Sequence, residues 1–274
     1  MPDLPKMFDL TGKSAVVTGG AGLLGKQFCQ TLAGAGALVA VVDIDADAAG
    51  MVAEEIVRSG GQAVAVPTDI TNPESVSEMV AVTLESFGRL DILVNSAALD
   101  PKFDPDSIGE QGVNAFENFP LEGWQQALDV NLTGMFLCSQ AAVAPMLEQG
   151  QGVIVNLCSM YGLVGPDQRL YQREGQPPQF KPVTYSVTKA GVLGMTQYLA
   201  TYYGKQNIRV NALTPGGVFN QHESAFVEAY SSRAVLGRMA EKNEMNGALL
   251  FLASDASSYM TGANLVVDGG WTAW

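Results

Sequence analysis

The sequence predicts one α/β domain built on a doubly wound, parallel, seven-stranded sheet. Three observations predict it. Short apolar runs rich in β-formers alternate with amphipathic helical stretches from one end to the other, as in a parallel sheet covered on both faces. The 274 residues show no composition break, repeat or low-complexity tract, and an α/β sheet protein of this length is routinely a single domain. Apolar residues make up 47% against 16% charged, which fills one large core and argues against disorder.

The strands are expected at Ser14–Thr18, Leu38–Asp43, Ala63–Val66, Ile92–Asn95, Val153–Leu157, Ile208–Leu213 and Leu265–Asp268, with helices in most of the gaps. Parallel strands need long crossovers, and right-handed βαβ units then gather ligand sites at the carboxyl ends of the strands. Two gaps are too long for plain connections. Leu99–Pro120 is rich in Pro, Asp and Asn, and Met160–Pro182 carries four prolines with charges and aromatics. Long segments of this kind in compact domains serve as functional lids or lack order. A further lid is expected over residues 216–240.

Composition excludes several function classes. A net charge of −13 repels phosphate backbones and anionic membranes, so no nucleic acid or membrane partner is expected. Cys29, Cys138 and Cys158 lie in apolar stretches without metal-ligand spacing, so they read as reduced core residues and no metal is expected. The opening MPDLPKMFDLTGK lacks an apolar leader core, and no window reaches the roughly 18 uninterrupted apolar residues of a membrane span. A cytoplasmic protein is the expectation.

The first strand ends in Thr18-Gly19-Gly20-Ala21-Gly22-Leu23-Leu24-Gly25 and leads into the helical run KQFCQTLAGAG. Such a turn lets backbone approach a pyrophosphate, and the helix N-terminus adds N–H groups and a positive dipole end. The second strand ends at Asp43, 18 residues beyond Gly25, near the ~20 expected of the acidic residue that holds an adenosine ribose. A carboxylate there accepts from both ribose hydroxyls and repels a 2′-phosphate, which favours NAD over NADP. Asp43 could instead cap the helix that begins around Asp45.

Tyr185-Ser186-Val187-Thr188-Lys189 opens a long helical stretch, and i, i+4 spacing puts Tyr185 and Lys189 on one face. A tyrosine of pKa ~10 is a poor acid/base near neutrality, and a neighbouring cation favours its phenolate. The single histidine, His222, gives little support to a Ser-His-Asp triad and falls on the expected substrate loop.

With these motifs in hand, the whole chain resembles the short-chain dehydrogenase/reductase family, a Rossmann-type fold. TGGAGLLG is similar to the family's glycine turn, Asp69-Ile70-Thr71 to its adenine-contacting segment, and Asn95-Ser96-Ala97-Ala98 to its NNAG motif. Asn131 in DVNLTGMF, Ser159 in IVNLCS, the Tyr185/Lys189 pair, Thr214-Pro215-Gly216-Gly217 and YMTGANLVVDGG follow in family order.

The resemblance implies an NAD(H)-dependent oxidoreductase moving a hydride between nicotinamide and a secondary alcohol or ketone. By that resemblance Tyr185 is the general acid/base, Ser159 holds the substrate oxygen, and Lys189 lowers the Tyr185 pKa and holds the nicotinamide ribose. Asn131 supports a water that relays protons to Lys189. The cofactor is implied to lie against Gly19, Gly22, Leu23, Leu24 and Gly25, against Asp43, Asp69 and Ile70, against Asn95 and Ala97, against Tyr185 and Lys189, and against Pro215, Gly216 and Val218. Taken singly, Asn131 also fits a helix cap and Ser159 a strand-end serine. A homotetramer or dimer through the helices near Leu132 and Tyr185 is implied as well.

The sequence departs from the family at Leu23, which replaces a glycine, and in the 26 residues separating Ser159 from Tyr185, roughly twice the family gap. The inserted GPDQRLYQREGQPPQFKP offers Asp167, Arg169, Tyr171, Arg173, Glu174 and Lys181 over the site mouth. It reads either as a solvated loop or oligomer contact, or as a substrate loop whose cations suit an anionic, sugar-derived ligand. The chain also resembles short-chain dehydrogenases of bacterial surface-glycan and nonulosonate pathways. Two other readings stand beside the dehydrogenase. A sugar-nucleotide epimerase or dehydratase shares the Tyr/Lys pair but needs a larger C-terminal domain, and a non-catalytic NAD(H) sensor would commonly lose Tyr185 or Lys189.

Overall fold

The computed structural model describes residues 4–100, 114–172 and 178–274. Its sheet has seven parallel strands: β1 Ser14–Thr18, β2 Leu38–Asp43, β3 Gln62–Pro67, β4 Ile92–Asn95, β5 Gly152–Leu157, β6 Ile208–Pro215 and β7 Asn264–Val267. The order is β3-β2-β1-β4-β5-β6-β7, so the chain reverses direction across the sheet between β1 and β4. That switch opens a crevice at the carboxyl ends of the strands.

Four strands differ from the sequence expectation, each for a pairing reason; β5 starts one residue earlier, at Gly152, which pairs with Ile208. β3 runs from Gln62 to Pro67 because both ends pair with β2, Leu38 with Gln62 and Asp43 with Pro67. β6 extends to Pro215, which pairs with Val267, and β7 starts at Asn264 opposite Ala212. Asp268 leaves the sheet, and its carboxylate accepts from the amides of Gly270 and Thr272 at 2.9 Å each.

The helices are α1 Leu4–Met7, α2 Gly25–Gly34, α3 Ala46–Arg58, α4 Pro73–Phe87, α5 Leu121–Leu128, α6 Met135–Gln149, α7 Val183–Tyr203, α8 Ser224–Ser231 and α9 Asn246–Ala253. Local chemistry sets their ends. The Asn72 side chain accepts from the amides of Glu74 and Ser75, Pro73 follows at the first helical position, and Gly88 closes α4 in a left-handed conformation.

Strand alternation divides the core between the two faces. Ala15, Val17, Val39 and Val41 meet α2, α3 and α9 through Phe28, Leu32, Val52, Ile56 and Leu249. Val16, Ala40, Leu93 and Ile154 face the other way, onto Met79, Cys138 and Met146 of α4 and α6. The three cysteines are free and buried, as expected, and burial pushes the Cys138 thiol up to about 12. The stretch Leu121–Gln149 is long and apolar enough to cross a membrane by length and composition, but its apolar window is 50% buried. It contacts α4, β4 and β5, the position of a core helix.

Candidate active site

The glycine turn and the end of β2 meet at the crevice. Gly19 has φ +63, and a side chain there would strike the Ala97 backbone at 2.8 Å. Gly25 packs so closely on the turn that an added Cβ would lie 1.9 Å from the Gly19 carbonyl oxygen. Gly22 donates its amide to that carbonyl at 2.9 Å. Leu24 precedes α2 without side-chain capping, which leaves the helix start to a ligand's anionic oxygens. Leu23 is 37% exposed, so its side chain is not buried within the turn.

Asp43 faces this turn. Its Oδ2 accepts from the Ala21 amide at 3.0 Å and its Oδ1 from the Asp45 amide at 3.2 Å. The helix cap is Asp45, which accepts from Ala48 at the start of α3. The residues that a dinucleotide needs are therefore in place: a side-chain-free turn, an uncapped helix start and a carboxylate beside them.

The neighbouring strand ends are held from inside. The Thr18 hydroxyl accepts from the amides of Ser96 and Ala97 at 3.1 and 3.2 Å. Asn95 is 2% exposed, and its amide donates to Ser139 at 3.0 Å and Asn156 at 2.9 Å. It fixes β4 against β5 and α6 and does not offer its side chain to the crevice. Asp69 accepts from Thr71 through both amide and hydroxyl, while Ile70 is buried against Gly134.

The candidate catalytic side chains come from three places. Ser159 follows β5 and accepts from the Tyr161 amide at 3.2 Å, so it caps a 3₁₀ turn, Met160–Gly162, as well as facing Tyr185. Tyr185 lies in the first turn of α7. Burial pushes its phenol above the ordinary range, Asp100 adds to the rise, and a hydrogen bond with Ser159 opposes it.

Lys189, one turn on, is 4% exposed and donates to the Leu157 carbonyl at 2.9 Å. Burial pushes its ammonium down to about 8, with Cys158 and Asp100 opposing the fall. The expected lowering of the Tyr185 pKa by Lys189 is not what this geometry gives. Lys189 Nζ stands 5.9 Å from the ring centroid and gives one of its N–H groups to a backbone carbonyl, while burial of the phenol dominates.

Asn131 is not a helix cap. It sits in a π-helical turn, Asp129–Gly134, between α5 and α6, a device frequent at functional sites. Its Oδ1 accepts from the Leu99 amide at 2.6 Å, and its Nδ2 donates to the Leu99 carbonyl at 3.0 Å and the Thr188 hydroxyl at 3.2 Å. It thus ties the segment after β4 to α7.

The insertion folds back on the protein. Leu170 and Tyr171 are buried with Met160, Tyr161, Tyr230, Ala234, Met239 and Trp271, so Tyr171 is part of a core beneath the mouth and does not project over it. Its phenol donates to that of Tyr161 at 3.1 Å. Arg169 and Arg233 both pair with Asp167, at 2.8 and 2.6 Å, which holds that carboxyl well below the usual range. Lys181 pairs with Asp100 at 2.5 Å. Arg173 and Glu174 lie outside the described residues, as do residues 101–113 of the other long gap.

After β6, the Gly216 amide donates to Val267 at 2.9 Å, and Val218 bridges to Ala240. The Gly217 amide donates to the Tyr230 phenol at 2.6 Å, while Tyr230 stacks on Trp271 at 4.3 Å. Tyr230 was not foreseeable from a motif, since only folding brings it to the loop after Pro215. His222, in the segment after β6, stacks on Phe226 at 5.0 Å.

Comparison with known proteins agrees with this arrangement. The family described as enoyl-(acyl carrier protein) reductase matches residues 20–272. A 2,5-dichloro-2,5-cyclohexadiene-1,4-diol dehydrogenase of Sphingobium indicum is 38% identical over 97% of this chain and 100% of its own length. A short-chain type dehydrogenase/reductase from Mycobacterium marinum superposes with a TM-score of 0.85, 36% identity and 99% coverage of each chain. A gluconate 5-dehydrogenase from Burkholderia cenocepacia, in complex with NADP and tartrate, superposes with a TM-score of 0.85 at 27% identity, again over 99% of each chain. Fold, motif order and similarity over the full length converge: the chain is an oxidoreductase of the short-chain dehydrogenase/reductase family, whose members use a nicotinamide cofactor.

Proposed function

We propose that this protein is an NAD(H)-dependent dehydrogenase that interconverts a secondary alcohol and a ketone on a polar, sugar-derived substrate. The observation that carries the reading is the meeting of Ser159, Tyr185 and Lys189 beside a crevice whose glycine turn faces Asp43.

When bound, the nicotinamide accepts or supplies the hydride. The start of α2 would hold the pyrophosphate, Asp43 the adenosine ribose, Lys189 the nicotinamide ribose, and the backbone from Pro215 to Val218 the carboxamide. In oxidation the Tyr185 phenolate takes the proton of the substrate hydroxyl, and in reduction the phenol returns one. Ser159 hydrogen-bonds the same oxygen as its charge changes. Asn131 steadies the base of α7 through Thr188, so that Tyr185 and Lys189 keep their relation.

Among the described residues, the substrate side is aromatic and its cations are paired. Tyr161 and Tyr185 meet edge to face at 6.5 Å, and Phe226 lies 5.8 Å from Tyr171. Arg169, Arg233 and Lys181 are each paired with a carboxylate, which favours hydroxyl groups over a phosphate. Similarity to a cyclic-diol dehydrogenase supports a substrate bearing hydroxyl groups, and similarity to a gluconate 5-dehydrogenase supports a sugar-derived one. The protein acts in the cytoplasm as a homo-oligomer in this reading.

The test is turnover of sugar alcohols, sugar acids and cyclic diols with NAD⁺ and with NADP⁺, against steroid and fatty acyl ketones with the reduced cofactors. Faster turnover of the hydroxylated group with NAD⁺ is expected. Turnover confined to steroids or acyl ketones would remove the sugar-derived class, and a preference for NADP⁺ would remove the assigned role of Asp43.

A further inference from the structure

We propose that Lys181, held between Asp100 and the face of the Tyr185 ring, is a positioning residue that sets the protonation balance of the catalytic tyrosine. The proposal rests on Tyr185 being the acid/base group.

Lys181 belongs to the insertion and precedes Pro182, the residue before α7. Its backbone is fixed on both sides by one glutamine. The Lys181 amide donates to Gln168 Oε1 at 2.9 Å, and Gln168 Nε2 donates to the Lys181 carbonyl at 3.3 Å. The side chain is only 12% exposed, and its Nζ lies 2.5 Å from Asp100 Oδ1 and 4.0 Å from the Tyr185 ring centroid. Lys189 stands farther off at 5.9 Å, so the nearer cation on the ring comes from the inserted segment.

Asp100 is held in turn. It follows Leu99, whose amide and carbonyl are both gripped by Asn131, and Asn131 reaches Thr188 on α7. Asp100 and Lys181 therefore approach Tyr185 from the segment after β4 and from the insertion, while Asn131 and Thr188 tie that first segment to α7. Ser159, Cys158 and Tyr161 face it from the end of β5, Tyr171 from the insertion and Lys189 from α7.

A cation over the ring face favours the phenolate, while a carboxylate nearby favours the phenol. The two members of the pair thus push Tyr185 in opposite directions. An ion pair that only tied two loops together would contribute little and would leave the tyrosine's titration alone.

The test follows Tyr185 itself, by ring-carbon NMR of isotope-labelled tyrosine in the NAD⁺ complex, with Tyr185→Phe identifying the resonance. The ionisation midpoint is expected to rise by about one pH unit in Lys181→Met, to stay near wild type in Lys181→Arg, and to fall by a similar amount in Asp100→Asn. Midpoints unchanged in both Lys181→Met and Asp100→Asn would overturn the proposal. Asp100 is half-exposed, so Asp100→Asn and Lys181→Arg keep the test decisive if Lys181→Met does not fold. Should Tyr185→Phe keep full activity on the substrate panel, the acid/base reading fails instead, whatever the midpoints show.

Discussion

The carboxylate of Asp43 accepts a hydrogen bond from the Ala21 amide at 3.0 Å, joining the end of β2 to the middle of the glycine turn. The group that would bind the adenosine ribose thus also holds the loop that would bind the pyrophosphate. Asp43→Ala is expected to weaken NADH binding about tenfold or more, since a charge-assisted hydrogen bond contributes ~1.5–3 kcal/mol. NADPH should lose less, because the repelling charge goes with the side chain. Fluorescence titration of both nucleotides checks this, and equal losses for the two would separate Asp43 from cofactor choice.

Gly25 and Gly22 sit in the same turn but differ in the space around them. An added Cβ at Gly25 would lie 1.9 Å from the Gly19 oxygen, whereas at Gly22 the nearest atom is 3.1 Å away. Gly25→Ala must therefore open the turn, at a cost of ~2 kcal/mol and a Tm about 4 °C lower for a chain of this size. NADH affinity should fall at least tenfold in Gly25→Ala and only slightly in Gly22→Ala. Equal behaviour of the two variants would show that the turn gives way freely.

The sheet was legible because strand-length apolar runs, glycine punctuation and helical spacing agreed at every step, and all seven strands lie where those signals fall. The Tyr185/Lys189 pair and the glycine turn were legible because their chemistry depends on short spacings. What stayed hidden depended on side-chain direction or on distant partners. Asp43 and Asp45 are alike in sequence, and only the folded backbone shows that Asp45 caps α3 while Asp43 turns to Ala21. Asn95 falls in a cofactor motif, yet pairing of β4 with β5 directs its amide to Asn156. Asp100 and Lys181 are 81 positions apart, so no local pattern announces their pairing.

Lys189 makes stability depend on alkaline pH in a direction that can be read. Burial pushes its ammonium from an ordinary 10.5 down to about 8, so the folded chain releases this proton at lower pH than the unfolded chain does. Between about pH 8 and 10 the unfolded state holds more protons there, and the residue's contribution to stability rises with pH. The buried thiols of Cys29 and Cys138 act oppositely, since burial raises both and the folded state keeps their protons. Comparison with Lys189→Met cancels the thiols. The stability of wild type relative to Lys189→Met should climb by on the order of 2–3 kcal/mol across that window in urea denaturation. A flat difference would mean that Lys189 titrates as an exposed lysine.

The outer surfaces of α6 and α7 carry large apolar groups that the monomer leaves open. Val187, Tyr198 and Tyr202 on α7 are 41%, 63% and 60% exposed, and Phe136 on α6 is 48% exposed. Tyr198 and Tyr202 share one helical face and stack at 5.8 Å, which concentrates apolar surface where a second copy would dock. A stable interface needs roughly 800 Å² from each partner, an area that two adjacent helices can supply. Light scattering should give a dimer or tetramer for the wild type, and Tyr198→Glu with Tyr202→Glu should lower the mass. The thermal midpoint of the wild type should then rise with protein concentration, since association stabilises by mass action. A monomeric wild type with a concentration-independent midpoint would leave these tyrosines as surface groups and place the reaction within a single chain.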